Sequence, residues 1–338
     1  MTPLQVKFWG VRGSIPAPIT SDDVRRKVWK AVAEYELHRG EGNPEAIERA
    51  VDQAGHDSGQ GPVQTFGGNT SCVEVVYGDG ETRIVLDMGT GLRPLGNKLF
   101  GEMLKKKGLK ITFLLSHVHW DHIQGLPFFG ELYWNKENGR IENSWSFHGG
   151  TDWQRTVEEC LKGQMDPPVF PVSWREIERI THEIQLHSVS DMMSFMVGEL
   201  SIQARKLDHP QETYGYRITT PDGRVVVYST DNEPRDPNVP APPLLKLAEG
   251  ADLWITDCQY TCDVYNGKTG VPHHGWGHSY PEAVAKTAIE AGVKTVVLFH
   301  HDPGSSDEAI ADIRRHTQDL VGSDIKVIAA WEGLELTI

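Results

Sequence analysis

Ile111 to His122, reading ITFLLSHVHWDH, constrains this chain more than any other stretch. It opens as an apolar run, Ile111-Thr112-Phe113-Leu114-Leu115, with the length and β-branched content of a buried strand. It stops at Ser116 and then places His117, His119, Asp121 and His122 within six residues. His117 and His119 are two apart, so in an extended segment they point the same way. Asp121 and His122 follow at a turn, where they can face a neighbouring position. Packing gives no reason for three imidazoles and a carboxylate at the end of a buried strand. Two metal ions sharing one short loop do.

His117-x-His119-x-Asp121-His122 resembles the signature loop of the metallo-β-lactamase fold hydrolases, and other segments fit the same pattern. Arg83 to Leu86 is a strand ending in Asp87-Met88-Gly89-Thr90-Gly91, similar to the first motif of that family. Lys206-Leu207-Asp208-His209-Pro210 followed by Tyr214-Gly215-Tyr216-Arg217-Ile218 resembles the third motif of its phosphodiesterase branch, which includes tRNase Z and the cyclic-phosphate phosphodiesterases. The opening FWGVRGSIP, with FGGNTSC and LDMGTG, is similar to the phosphoribosyl cyclic-phosphate phosphodiesterase group. The resemblance implies an α/β fold, an αββα sandwich of the metallo-β-lactamase type, formed by residues 1–338 as one domain with a helical insertion at about 20–62.

Read along the chain, Gln5 to Val11 alternates as a first strand. In the insertion, Val24, Val28, Val32 and Tyr35 give Asp22 to Leu37 a helical spacing, Pro44 to Ala54 reads as a second short helix, and Gly55 to Pro62 as a loop. Strands are expected at Cys72 to Tyr77, Ile141 to Phe147, Glu183 to His187, Leu200 to Leu207, Arg224 to Tyr228, Ala251 to Asp257, Val293 to Phe299 and Ile325 to Ala329. Helices are expected at Leu92 to Lys107, Thr151 to Leu161, from Leu244 to Ala248, at Pro281 to Ala291 and at Asp307 to Leu320. Three prolines between Asp166 and Val172 exclude a helix there.

The resemblance also implies a ligand set. His117, His119 and His209 hold one ion; Asp121, His122 and a late histidine hold a second; Asp231, after the strand ending at Tyr228, bridges both. The strand Val296 to Phe299 runs directly into His300, which makes His300 the preferred late ligand and His301 the alternative, with Asp302 as a group to orient the imidazole. Asp87 is expected to hydrogen-bond the metal loop rather than to ligate. Gly277-His278-Ser279 resembles the His-Ser-Thr element of the tRNase Z branch, where the histidine sits beside the scissile phosphate; the alternative is a residue that merely precedes a helix. His182 and His187 read as ordinary surface or packing residues, His273 and His274 as loop residues. Asp121, Asp231 and His278 are then the catalytic candidates. Imidazole and carboxylate donors without thiolate suit Zn²⁺ and tolerate Mn²⁺ or Fe²⁺. The expected reaction is hydrolysis of a small phosphodiester, a cyclic nucleotide or cyclic sugar phosphate, by metal-bound hydroxide.

Composition narrows the alternatives. The formal net charge is −14, which disfavours an extended nucleic-acid surface and hence the tRNase Z-like endoribonuclease reading. An acyl-bond hydrolase of the same fold fits the bridging Asp231 and the GYRI context less well. No run of eighteen apolar residues predicts a membrane span. The N-terminus lacks a basic start followed by an apolar stretch, and Cys72, Cys160, Cys258 and Cys262 are scattered, so free thiols and a cytoplasmic location are expected. A homodimer is compatible with all of this.

Overall fold

The computed structural model describes residues 2–38, 65–78, 80–134, 141–152, 155–236 and 238–338. In chain order the strands are β1 (Leu4–Gly10), β2 (Cys72–Tyr77), β3 (Thr82–Leu86), β4 (Lys110–Leu114), β5 (Ser144–Gly149), β6 (Thr151–Asp152), β7 (Arg155–Thr156) and β8 (Glu183–Ser188). They continue as β9 (Ser194–Val197), β10 (Leu200–Lys206), β11 (Tyr214–Thr219), β12 (Val225–Ser229), β13 (Leu253–Asp257), β14 (Thr295–Phe299), β15 (Lys326–Ala329) and β16 (Glu335–Thr337). Two seven-stranded sheets result, ordered β16-β1-β2-β3-β4-β5-β8 and β15-β14-β13-β12-β11-β10-β9, with β6 and β7 forming a separate ribbon.

Alternating burial along β1 turns Leu4, Val6 and Phe8 inward. These side chains, with Val75, Ile84, Leu86 and Leu114, meet Ile202, Tyr216, Ile218, Tyr228, Ile255, Val297 and Phe299 of the second sheet in one core between the sheets. The outer face of the first sheet buries Phe113, Trp145 and Phe147 under Leu95, Leu99 and Met103 of the helix Leu92–Lys106. The outer face of the second buries Trp254, Val296 and Leu298 under the helices Pro242–Ala248, Pro281–Ala291 and Asp307–Val321. At about 1.5–3 kcal/mol for each large apolar side chain removed from water, three such cores hold four layers together. This is the expected αββα sandwich.

The topology decides where chemistry can sit. β3, β4, β5 and β8 are mutually parallel, as are β12, β13, β14 and β15. β10 is antiparallel to β11 and β11 to β12, so β10 runs in the direction of β12. Strands running one way bring their carboxyl ends to one edge of a sheet, the usual place for a ligand in α/β proteins. The residues just after β3, β4, β10, β12 and β14 include Asp87, His117, His209, Asp231 and His300.

Within residues 20–62, the first expected helix is present as Ser21–His38. The second, from Pro44 to Ala54, and the loop after it lie outside the described residues. The expected helix from Thr151 to Leu161 is shorter. Thr151–Asp152 pairs with Arg155–Thr156, and the helix begins only at Val157. Thr156 and Glu159 form a reciprocal capping box that fixes that start. No helix among the described residues is long and apolar enough to cross a membrane.

Candidate metal centre

The loop after β4 is shaped by Asp87. This buried carboxylate accepts from the Ser116 backbone N–H at 2.7 Å, the Ser116 hydroxyl at 2.7 Å, the Tyr228 hydroxyl at 2.7 Å and His122 Nδ1 at 2.8 Å. A buried anion needs such donors to be tolerated. Asp87 thus hydrogen-bonds both Ser116 and His122 of that loop. Past Ser116 the chain is extended at His119 and then makes a single helical turn, Trp120–Ile123, in which Asp121 and His122 are buried.

Two groups of donor atoms converge. In the first, His117 Nε2 lies 2.9 Å from His119 Nδ1, which lies 3.5 Å from His209 Nε2. Asp231 Oδ2 is 3.6 Å from His117 Nε2 and 4.0 Å from His209 Nε2. In the second, His122 Nε2 is 3.1 Å from Asp121 Oδ2 and 3.2 Å from His300 Nε2. Asp231 Oδ1 closes that group at 3.5 Å from His122 and 3.3 Å from His300. Asp231 thus presents one oxygen to each group.

These separations fit divalent ions. Ligands at 2.0–2.1 Å on a tetrahedral ion are about 3.3 Å apart, inside the span of both groups. The hydrogen bonds behind the rings also fit. The Ser116 hydroxyl, already donating to Asp87, accepts from His117 Nδ1 at 3.0 Å. His209 Nδ1 donates to the Gly277 carbonyl at 3.1 Å and His300 Nδ1 to Gln259 Oε1 at 2.8 Å. Each bond leaves Nε2 bearing a lone pair toward the cluster, the arrangement metal-ligating histidines require. Burial, followed by the neighbouring His122, holds the His117 imidazolium well below its ordinary range. Burial works against ionising Asp121 and Asp231, yet the surrounding histidines keep both carboxyls well below the usual range. The cysteines take no part in either group.

Three of these residues adopt left-handed backbone: Asp87 (φ 59°), Asp231 (φ 57°) and His300 (φ 57°). Such angles cost about 1–3 kcal/mol each for a residue other than glycine and concentrate at functional sites. Close approach adds a second constraint at Gly13, where a Cβ would stand 2.2 Å from His300 Nδ1.

The structure separates the two late histidines. His300 faces the cluster, whereas His301 turns into the protein, donates from Nε2 to the Ala330 carbonyl at 2.9 Å and meets Phe66 edge-on. Burial, helped by Arg12, drives its pKa down to about 3, so it is a neutral donor. Asp302 does not orient His300; its carboxylate accepts from the Gly304 N–H, and Gln259 holds the imidazole instead. His187 stacks on His148, and His273, in the loop before Trp276, packs between Tyr260 and Trp276.

His278 lies beside the cluster, buried and stacked on His300 at 5.0 Å. Its Nδ1 is 3.6 Å from Asp257 Oδ2 and 4.0 Å from Asp231 Oδ2. Burial disfavours its charged form, but Asp257 and Asp231 outweigh burial and raise its pKa. Asp257 also accepts from the Ser279 and Asn232 N–H groups at 2.8 and 3.1 Å. Glu233 receives the N–H groups of Gly275 and Gly277 and the Tyr265 hydroxyl. The sequence reading missed Gln259, Asp257 and Glu233. Only Asp257 carried a signal, an aspartate ending a buried strand, as at Asp87. His119, Asp121, His209, Asp231, His278 and His300 open onto a cavity of about 520 Å³ that is also lined by Ser14, Val118, Trp120 and Trp276.

Residues 82–301 match the family described as beta-lactamase superfamily domain. An uncharacterized protein of Mycobacterium tuberculosis is 28% identical over 203 residues, which span 59% of this chain and 65% of that relative. A ribonuclease Z of Prochlorococcus marinus is 22% identical over 259 residues, 75% of this chain and 77% of that enzyme. The crystal structure of the metallo-β-lactamase fold protein YhfI from Bacillus subtilis superposes with a TM-score of 0.61 at 18% identity, covering 99% of this chain and 100% of YhfI. With four layers, carboxyl-end ligand groups and a family match across most of both sheets, the chain belongs to the beta-lactamase superfamily and has the metallo-β-lactamase fold, which implies divalent metal ions.

Proposed function

We propose that this protein is a metal-dependent hydrolase of a small phosphodiester, a cyclic nucleotide or cyclic sugar phosphate. The observation that carries the reading is Asp231, whose two oxygens face two separate imidazole groups. His117, His119, His209 and Asp231 would hold one ion, and Asp121, His122, His300 and Asp231 a second, with zinc suited to the donors and manganese or iron also accommodated. Ions so placed would supply Lewis acidity toward phosphoryl oxygens and lower the pKa of water to about 7. The protein's own part is to fix the donors through Asp87, Gln259, Ser116 and Gly277, and to place His278 where a leaving oxygen could take its proton. Among the described residues lining the cavity there is no lysine or arginine. A diester brings one negative charge and needs less compensation than a monoester. The same reading takes residues 1–338 as one domain with 20–62 as an insertion.

A second reading, a nuclease acting on a tRNA precursor, draws support from the ribonuclease Z relative. The net charge of −14 weighs against a long polyanion. A substrate panel separates the two: bis(p-nitrophenyl) phosphate, 3′,5′- and 2′,3′-cyclic nucleotides, cyclic sugar phosphates, a phosphomonoester, a tRNA precursor and a lactam. Small diesters should dominate, and chelation should abolish turnover. Preferred cleavage of the tRNA precursor would favour the second reading. Predominant monoester or lactam hydrolysis would remove both.

A further inference from the structure

Two indoles on the cavity wall have no role in the scheme above. Trp120 is 80% exposed and Trp276 52% exposed, yet both line the cavity over the ligand groups. Exposed tryptophan occurs elsewhere on the molecule, Trp29 being one case. These two differ in where they stand. Trp120 stands between His119 and Asp121 and opens the helical turn that delivers Asp121 and His122. Trp276 lies between two glycines with left-handed backbone, whose N–H groups both donate to Glu233, at 2.7 and 2.8 Å. Behind it, the His273 ring meets Trp276 edge-on at 4.4 Å and leans on Tyr260 at 4.4 Å. Large flat apolar faces are therefore exposed to water around a cavity that no described lysine or arginine lines.

We infer that Trp120 and Trp276 are a stacking platform for an aromatic base, so that the substrate is a nucleoside phosphodiester rather than a cyclic phosphate of a bare sugar. Indole is well suited to the task, because every nucleobase has a π-face and stacking is tolerant of base identity. The platform rests on the phosphodiester reading for the reaction but not for binding, and the two can be tested apart.

The first arm measures binding of adenosine and of ribose by calorimetry. Adenosine should bind more tightly than ribose, and Trp120→Ala or Trp276→Ala should weaken it about 5- to 150-fold, the range for removal of a stacked base. Trp→Phe at either position should retain most of the affinity, and metal content should be unchanged in all variants. The second arm compares a nucleoside 2′,3′-cyclic phosphate with ribose 2,3-cyclic phosphate. The alanine variants should raise KM for the nucleotide alone. Equal losses on both substrates, or wild-type protein that binds adenosine no better than ribose, would overturn the platform. Failure to hydrolyse any diester while adenosine binding remains sensitive to the indoles would remove the phosphodiesterase reading and leave the platform standing.

Discussion

The two ligand groups that meet at Asp231 are held by different kinds of partner. In the group of Asp121, His122 and His300 every member is buried, and the imidazoles are fixed by side chains, the Asp87 carboxylate and the Gln259 amide. In the group of His117, His119 and His209, the residues His119 and His209 are not fully buried, although the His209 side chain is. Its supports are a hydroxyl, Ser116, and a loop carbonyl, Gly277. A carboxylate behind an imidazole raises its basicity and fixes its tautomer more firmly than a carbonyl does. The group backed by Asp87 and Gln259 should therefore bind its ion more tightly and exchange it more slowly, leaving the group backed by Ser116 and Gly277 as the side that gives way first.

The harshest way to break this distinction is to remove the one residue both groups share. Asp231→Ala should lose at least one ion and reduce turnover by more than about 10²–10³-fold, the loss usual when one electrostatic contributor is taken from a preorganised site. Elemental analysis and turnover on bis(p-nitrophenyl) phosphate measure it; two retained ions with full activity would contradict the bridging role. Next in size is His278→Ala. General-acid assistance contributes about 10²–10⁴-fold, and an alkoxide leaving group needs nearly all of it while nitrophenolate needs little. Activity should collapse on a cyclic nucleotide and largely survive on bis(p-nitrophenyl) phosphate, with both ions bound. Equal losses on the two substrates would reduce His278 to a phosphate contact or a loop support. The smallest change sharpens the comparison most. Gln259→Ala should weaken one ion by about 10–100-fold, as loss of such an orienting partner does, and leave the other unaffected. Competition with a graded series of chelators reads both sites at once; equal weakening would show that the groups are not separable.

What could be read in advance follows the density of the signal. The loop after β4 packs its ligand-type residues so tightly that chemistry is the economical explanation. Strand-end candidates such as His209, Asp231 and His300 stand far apart in sequence, and only resemblance to a family linked them. His300 and His301 are adjacent and chemically alike, and the left-handed turn at His300 that separates their directions is a property of backbone, not composition. Gln259 left no trace, because an amide holding an imidazole 41 residues away exists only once β13 and β14 pair. In the fold, central strands such as β12 and β13 were legible as continuous apolar runs. The edge strands β9 and β16 were not, since short half-exposed segments bury too little to leave a pattern.

Gly277 ties the wall of the cavity to its floor. Its carbonyl receives His209, a Cβ on it would fall 1.9 Å from the same ring, and its chain neighbours are Trp276 and His278. A base resting on Trp276 and an ion drawn to His209 therefore act on one short stretch of backbone. Under thermodynamic linkage, whatever factor the first applies to the affinity of the second is returned in full. Metal titrations with and without adenosine would give that factor. A value of one would mean that the wall and the floor move independently, and a larger value that the protein senses its ion and its ligand as one event.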